Sequence, residues 1–114
     1  ALITASGLDG DIGTYFPPTS PEWAGANSVD LLKALLPKMA GMRWLQVDIT
    51  VFLEAPKLGH YKAQMAEYIT QWLTNENGSP TVSVKAKTAE GLGDIGLLNA
   101  LAASVLVLGI RVTK

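Results

Sequence analysis

The chain has 114 residues, enough for one domain with a core of its own. Nine Lys and Arg against ten Asp and Glu leave a formal net charge of -1, with Lys85 and Lys87 as the densest basic cluster, which argues against a nucleic-acid partner. Cysteine is absent, so disulfides, thiolate chemistry and Cys-based zinc sites are excluded, and a reducing compartment fits. The apolar fraction of 48% and mean hydropathy of +0.24 are high for a soluble monomer, and point to self-association. No membrane span is expected, because the most apolar tract, 100–112, falls short of the roughly twenty residues a span needs. The chain does not begin with Met, and Ala1-Leu2-Ile3 reads as the last turns of a helix already in progress. A segment upstream of Ala1 is the expectation.

In chain order, 1–6 closes a helix, with Gly7 as its C-cap. The stretch DGDIGTYFPPTSPEW, Asp9 to Trp23, is too irregular for a helix or central strand and reads as a rigid, aromatic connection. Asn27 or Ser28 caps the next helix, whose apolar face is Leu31, Leu32, Leu35, Leu36 and Met39; Pro37 ends or kinks it near Leu36. Trp44 to Leu53 alternates with a period of two, setting Leu45, Val47, Ile49, Val51 and Leu53 against Trp44, Gln46, Asp48, Thr50 and Phe52, and predicts a strand. Pro56 ends it. A second amphipathic helix covers about 61–73, NENGSP is a turn, and 81–87 is a strand with Val82, Val84 and Ala86 on one face. After EGLGDIG the tail from Leu98 to Thr113 is ambiguous between helix and strand. The order predicts an α/β sandwich with helices on one side of a sheet.

Three stretches bear candidate chemistry. Asp11, between Gly10 and Gly13, either caps a local turn or accepts hydroxyls of a sugar or polyol, the glycines permitting close backbone approach. In EAPKLGHYK, after the first strand, Lys57 projects from a stiff turn towards a phosphate or base carbonyl, unless it is an ordinary surface lysine. His60, the lone histidine, has no acidic partner at helical spacing and reads as structural or surface. In KAKTAEGLGDIG, Thr88 ends a strand, Glu90 is placed to hold a divalent cation bridging phosphates, and the glycines can offer N–H groups to anionic oxygens. The spacing matches neither a P-loop nor a dinucleotide fingerprint.

Taken together, GDIGTYFPPTSPEW, DITVFLEAPKLG and VKAKTAEGLGDIG resemble 2-C-methyl-D-erythritol 2,4-cyclodiphosphate synthase, a family of the non-mevalonate isoprenoid route, in register along essentially the whole chain. The resemblance implies one domain over 1–114, a mostly antiparallel four-stranded sheet with helices on one face, and a homotrimer whose sheets face the threefold axis, with sites at subunit boundaries. It implies a phosphorus–oxygen lyase acting on a cytidine diphosphate substrate, with zinc and magnesium or manganese as cofactors. Matched residue by residue, Asp11 and Gly13 would contact the erythritol, and Phe16 would brace the wall beside them. Ala55, Pro56, Lys57 and Leu58 would close around cytosine. Lys87 and Thr88 would bind the diphosphate, Thr88 stabilising its developing charge, and Glu90 would hold the second cation. The resemblance implies a cytoplasmic enzyme in a bacterium or a stromal one in a plastid-bearing cell, with neither nucleic acid nor membrane as partner.

This chain departs from the family pattern in places. The Asp-x-His and His-Ser-Asp-Gly-Asp segments that hold zinc do not occur, so those ligands are expected upstream of Ala1, and the fragment by itself is expected to be inactive. Asp94 and Leu97 stand where many members carry an aromatic and an arginine, and Leu98-Asn99 replaces Gly-Glu. Pro17-Pro18-Thr19-Ser20-Pro21 lacks the two carboxylates of Pro-Asp-Thr-Asp-Pro. The alternatives are an inactive homologue that keeps the trimer and binds a cytidine nucleotide, and, more remotely, a structural α/β trimer.

Overall fold

A computed structural model describes residues 1–112; Thr113, the last residue of the ambiguous tail, lies outside them. Helix α1, Leu2–Ala5, ends where Gly7 adopts φ +78°. The Gly7 N–H donates to Thr4 O and the Leu8 N–H to Ile3 O, the paired bonds that close a helix through a left-handed glycine. A short helix α2, Ile12–Tyr15, follows. Asn27 then caps α3, Ser28–Leu35, accepting from the N–H of Val29 at 2.8 Å and of Asp30 at 3.4 Å. Pro37 converts the helix into a 3-10 turn over Leu36–Met39, as a missing N–H requires.

Strand β1, Met42–Phe52, leads through α4, Lys62–Leu73, to β2, Thr81–Lys87; after α5, Gly93–Gly96, the chain finishes in β3, Ala102–Arg111. The sheet order is β2-β1-β3. Strands β1 and β2 pair in parallel, Gln46 opposite Thr81 through Phe52 opposite Lys87, because α4 carries the chain back to the starting end as a crossover. Strand β3 pairs antiparallel on the other side of β1.

The described residues thus form a three-stranded mixed sheet, which corrects the expected mostly antiparallel sheet of four strands: one of the two neighbour pairings is parallel. The ambiguous tail is a strand, and the mixed α/β class holds.

The β1 alternation also needs correction. A bulge between Trp44 and Gln46 puts two residues opposite one and reverses which face each later residue takes. Met42 and Trp44 therefore point to the same side as Val47, and all three are buried, at 3%, 1% and 3% exposure. Trp44 belongs to the core, not to the polar face with Gln46. Leu35, Met39 and Leu73 complete that core from the helices, with Ile49, Val82 and Val107 packed against it. Gly109 lies opposite Trp44; a Cβ there would stand 2.7 Å from the indole, so the glycine makes room for the largest buried side chain.

Candidate active site

Parallel pairing brings the C-terminal ends of β1 and β2 together at one end of the sheet, where α/β folds commonly bind ligands. The Leu53 N–H continues the ladder one step past Phe52, donating to Lys87 O at 3.0 Å. From there the chain turns through a cis Ala55–Pro56 peptide and enters α4 at Lys62.

A cleft of about 290 Å³ opens between this loop and the end of β2, lined by Lys57, Leu58, Lys62, Lys87 and Thr88 among others. Three ammonium groups and a hydroxyl, with no carboxylate in the lining, favour an anionic ligand such as a phosphate. The structure thus unites Lys57 and Leu58 with Lys87 and Thr88, which are some thirty residues apart in sequence. Lys62 joins them although the sequence reading did not single it out; its only sequence signal was being basic just after the EAPKLG turn. Lys85 is elsewhere, paired with Asp48 at 2.9 Å in a partly exposed ion pair of small energetic weight.

Ala55 lines a neighbouring recess of about 370 Å³ together with Leu53, Glu54 and Leu98, and Pro56 is exposed and lines neither hollow. His60 is exposed. Glu90, also exposed, takes φ +53°, a left-handed conformation that costs a non-glycine residue about 1–3 kcal/mol. Glu54 supports it. The Ala89 N–H donates to Glu54 Oε2 at 3.0 Å and the Gly91 N–H to Oε1 at 3.1 Å; bonds to a charged acceptor are worth about 1.5–3 kcal/mol each. Glu54 was missed because its partners lie 35 and 37 residues away, beyond any local pattern.

The Asp11 region is a different place. Asp11 caps α2, accepting from Thr14 N–H at 3.1 Å, while its own N–H donates to Thr14 Oγ1 at 3.1 Å, a reciprocal capping box. Gly10 at φ +85° leads into it, and a Cβ there would collide with Thr14. Gly13 is exposed. Phe16 packs edge-to-face on Trp23 with centroids 4.6 Å apart, and Tyr15 donates its hydroxyl to Asp9 O at 2.6 Å, so the odd stretch is a braced turn. Asp11 lines a broad, mainly apolar groove of about 810 Å³ with Leu31, Leu32 and Val105. That groove shares no lining residue with the cationic cleft.

Among the described residues, no group of three or more His, Cys, Asp or Glu is gathered to hold a metal. A lone exposed carboxylate such as Glu90 suits magnesium or manganese, whose remaining positions are filled by phosphate and water. It does not suit zinc, which takes three or four protein ligands. No helix among the described residues is long and apolar enough to cross a membrane.

An α/β domain with a lysine- and threonine-lined cleft beyond two parallel strand ends has the charge and position that suit a phosphate-bearing small molecule. Comparison with known proteins makes this specific: a profile of the YgbB family matches residues 1–109, and the chain belongs to that family, the 2-C-methyl-D-erythritol 2,4-cyclodiphosphate synthases. It is 47% identical over 110 residues to the synthase of Symbiobacterium thermophilum, a match covering 95% of this chain and 68% of that one. The chain spans about two thirds of the length of such curated relatives. The bifunctional IspDF of Campylobacter jejuni superposes with a TM-score of 0.81 at 33% identity, over 100% of this chain and 30% of the other. Plasmodium falciparum IspF, solved as a CDP complex, gives 0.75 at 29% identity, over 99% and 67%. The family's enzymes cyclise 4-diphosphocytidyl-2-C-methyl-D-erythritol 2-phosphate with release of CMP, in the non-mevalonate route, and use divalent metal ions.

Proposed function

We propose that 1–114 forms a single cyclodiphosphate synthase-like domain of a protein that carries out this cyclisation, with the zinc ligands outside the described residues, and that the protein works as a homotrimer. The observation that carries the reading is the cleft joining Lys57 and Leu58 to Lys87 and Thr88. The CDP held by the Plasmodium relative supports a cytidine nucleotide as its occupant.

The substrate supplies its own nucleophile. An oxygen of the 2-phosphate attacks the β-phosphorus, the bond from that phosphorus to the oxygen bridging the α-phosphorus breaks, and the electron pair leaves with CMP. Catalysis is then alignment and charge stabilisation. Backbone groups of 55–58 read the cytosine edge, with Lys57 reinforcing the turn. Lys62 and Lys87 offset phosphate charge, and the Thr88 hydroxyl donates to the diphosphate as charge builds on it. Glu90 is the residue to hold magnesium or manganese, which when bound neutralises phosphate oxygens. Zinc calls for ligands other than the described residues. This chemistry goes with a cytoplasmic enzyme, or a stromal one in a plastid-bearing cell.

Asp11 takes the erythritol hydroxyls, with Gly13 allowing backbone approach and Phe16 bracing the wall. Capping and binding are compatible, because both bonds that Asp11 accepts from Thr14 fall on Oδ1 and Oδ2 is left for the ligand. The two hollows have no lining residue in common, which fits a substrate that touches Asp11 of one copy and Thr88 of another. The outward apolar side chains of β3 support that assembly: Leu106, Leu108 and Ile110 are 73%, 53% and 51% exposed in the single chain.

The second reading, a trimer that binds cytidine nucleotide without turnover, is favoured by Asp94 and Leu97 at the family's aromatic and arginine positions. Two titrations of the full chain separate them. The enzyme binds CDP and releases CMP from substrate; the inactive homologue binds CDP and releases none. A chain that does neither contradicts both.

A further inference from the structure

We propose that Glu54 is a positioning residue that sets the diphosphate-binding turn against the base-binding turn, an inference that rests on the site reading above. Glu54 directly precedes Ala55–Pro56, and its two carboxylate oxygens each accept one backbone N–H from the far loop, Oε2 from Ala89 and Oε1 from Gly91. Those donors flank Glu90 and follow Thr88. The β1–β2 ladder ends at the bond from Leu53 N–H to Lys87 O, so the two Glu54 bonds tie 88–91 across to the loop after β1. A further bond, from Leu92 N–H to Ala89 O, closes the turn on itself without fixing its place.

A cytidine diphosphate spans a fixed length between its base and its β-phosphorus. One side chain that holds both turns therefore governs whether the phosphorus meets the Thr88 hydroxyl and the cation at Glu90 while the base is seated. Residues that orient a metal-bearing group in this way typically change metal affinity or activity by about 10–100-fold when removed. Glutamine in place of Glu54 keeps one oxygen acceptor and sets an NH₂ donor against the second N–H, so it breaks half of the clamp.

The test compares the parent full chain with Glu54→Gln and Glu54→Ala by calorimetric titration of CMP, and of CDP with Mn²⁺, and by amide hydrogen exchange at Ala89 and Gly91. In Glu54→Ala the proposal expects CMP affinity within about twofold of the parent, since CMP has no β-phosphate, a loss of about tenfold for CDP with Mn²⁺, and faster exchange at both amides. Glu54→Gln falls between, and carries the test if the alanine variant does not fold. Unchanged affinity for CDP with Mn²⁺ in the folded variants overturns the proposal, as does an equal loss for CMP and CDP, which marks a general structural role. A parent that binds neither nucleotide refutes the site reading itself, and the proposal with it.

Discussion

Strands β1 and β3 lie side by side, are similarly apolar, and meet opposite fates. Along β1, Met42, Trp44 and Val47 are enclosed by α3, the 3-10 turn and α4, and its C-terminal end opens into the cationic cleft. Along β3, Leu106, Leu108 and Ile110 stand on a face left exposed by the described residues. The difference teaches that apolar content alone does not decide burial; which face the helices reach does. The surplus on β3 is the kind of surface that a second copy of the chain covers. On this account β1 serves the chemistry and β3 the assembly.

The largest effect is expected from breaking the β3 side. Leu106→Asp should abolish self-association, because an unpaired charge buried in an interface costs several kcal/mol, yet leave the protomer folded, as Leu106 is 73% exposed within it. Light scattering after size exclusion should find a monomer with the parent's circular dichroism; a trimer indistinguishable from the parent would place the seam elsewhere. On the β1 side, Glu90→Ala should leave assembly intact and lower turnover by about 10–100-fold, with a raised magnesium requirement. Unchanged rate and metal dependence in a magnesium titration reject that role.

Where the two strands meet, Gly109→Ala should destabilise the protomer by about 1–3 kcal/mol, since the added methyl would stand 2.7 Å from the side chain of Trp44, which is 1% exposed. Urea unfolding reads this, and stability equal to the parent would mean the indole has slack. The smallest effect concerns Asp11. Asp11→Ala should cost about 1 kcal/mol through the lost cap, whereas Asp11→Asn should hold stability and still weaken substrate binding. If both variants bind substrate like the parent, Asp11 is a cap and nothing more.

What the sequence made legible was governed by local chemistry. Asn27 as a cap, Gly7 as a helix stop and Pro37 as a helix terminator each act within a few residues, and the structure bears them out. The bulge beside Leu45 was not legible, because a bulge is a property of a strand pair, and one extra residue inverts an alternation that otherwise reads cleanly. The three-stranded mixed sheet was likewise hidden, as pairing direction depends on where the α4 crossover delivers β2. Lys57 and Thr88 were each recognisable, while Glu54, which ties their loops together, acts only through contacts distant in sequence.

The central claim is that this cleft performs the cyclisation, and ³¹P NMR of the full chain with 4-diphosphocytidyl-2-C-methyl-D-erythritol 2-phosphate and magnesium tests it most directly. The account predicts that the substrate signals give way to equal amounts of CMP and the cyclic diphosphate. Persistence of the substrate signals under conditions where CDP demonstrably binds would contradict it.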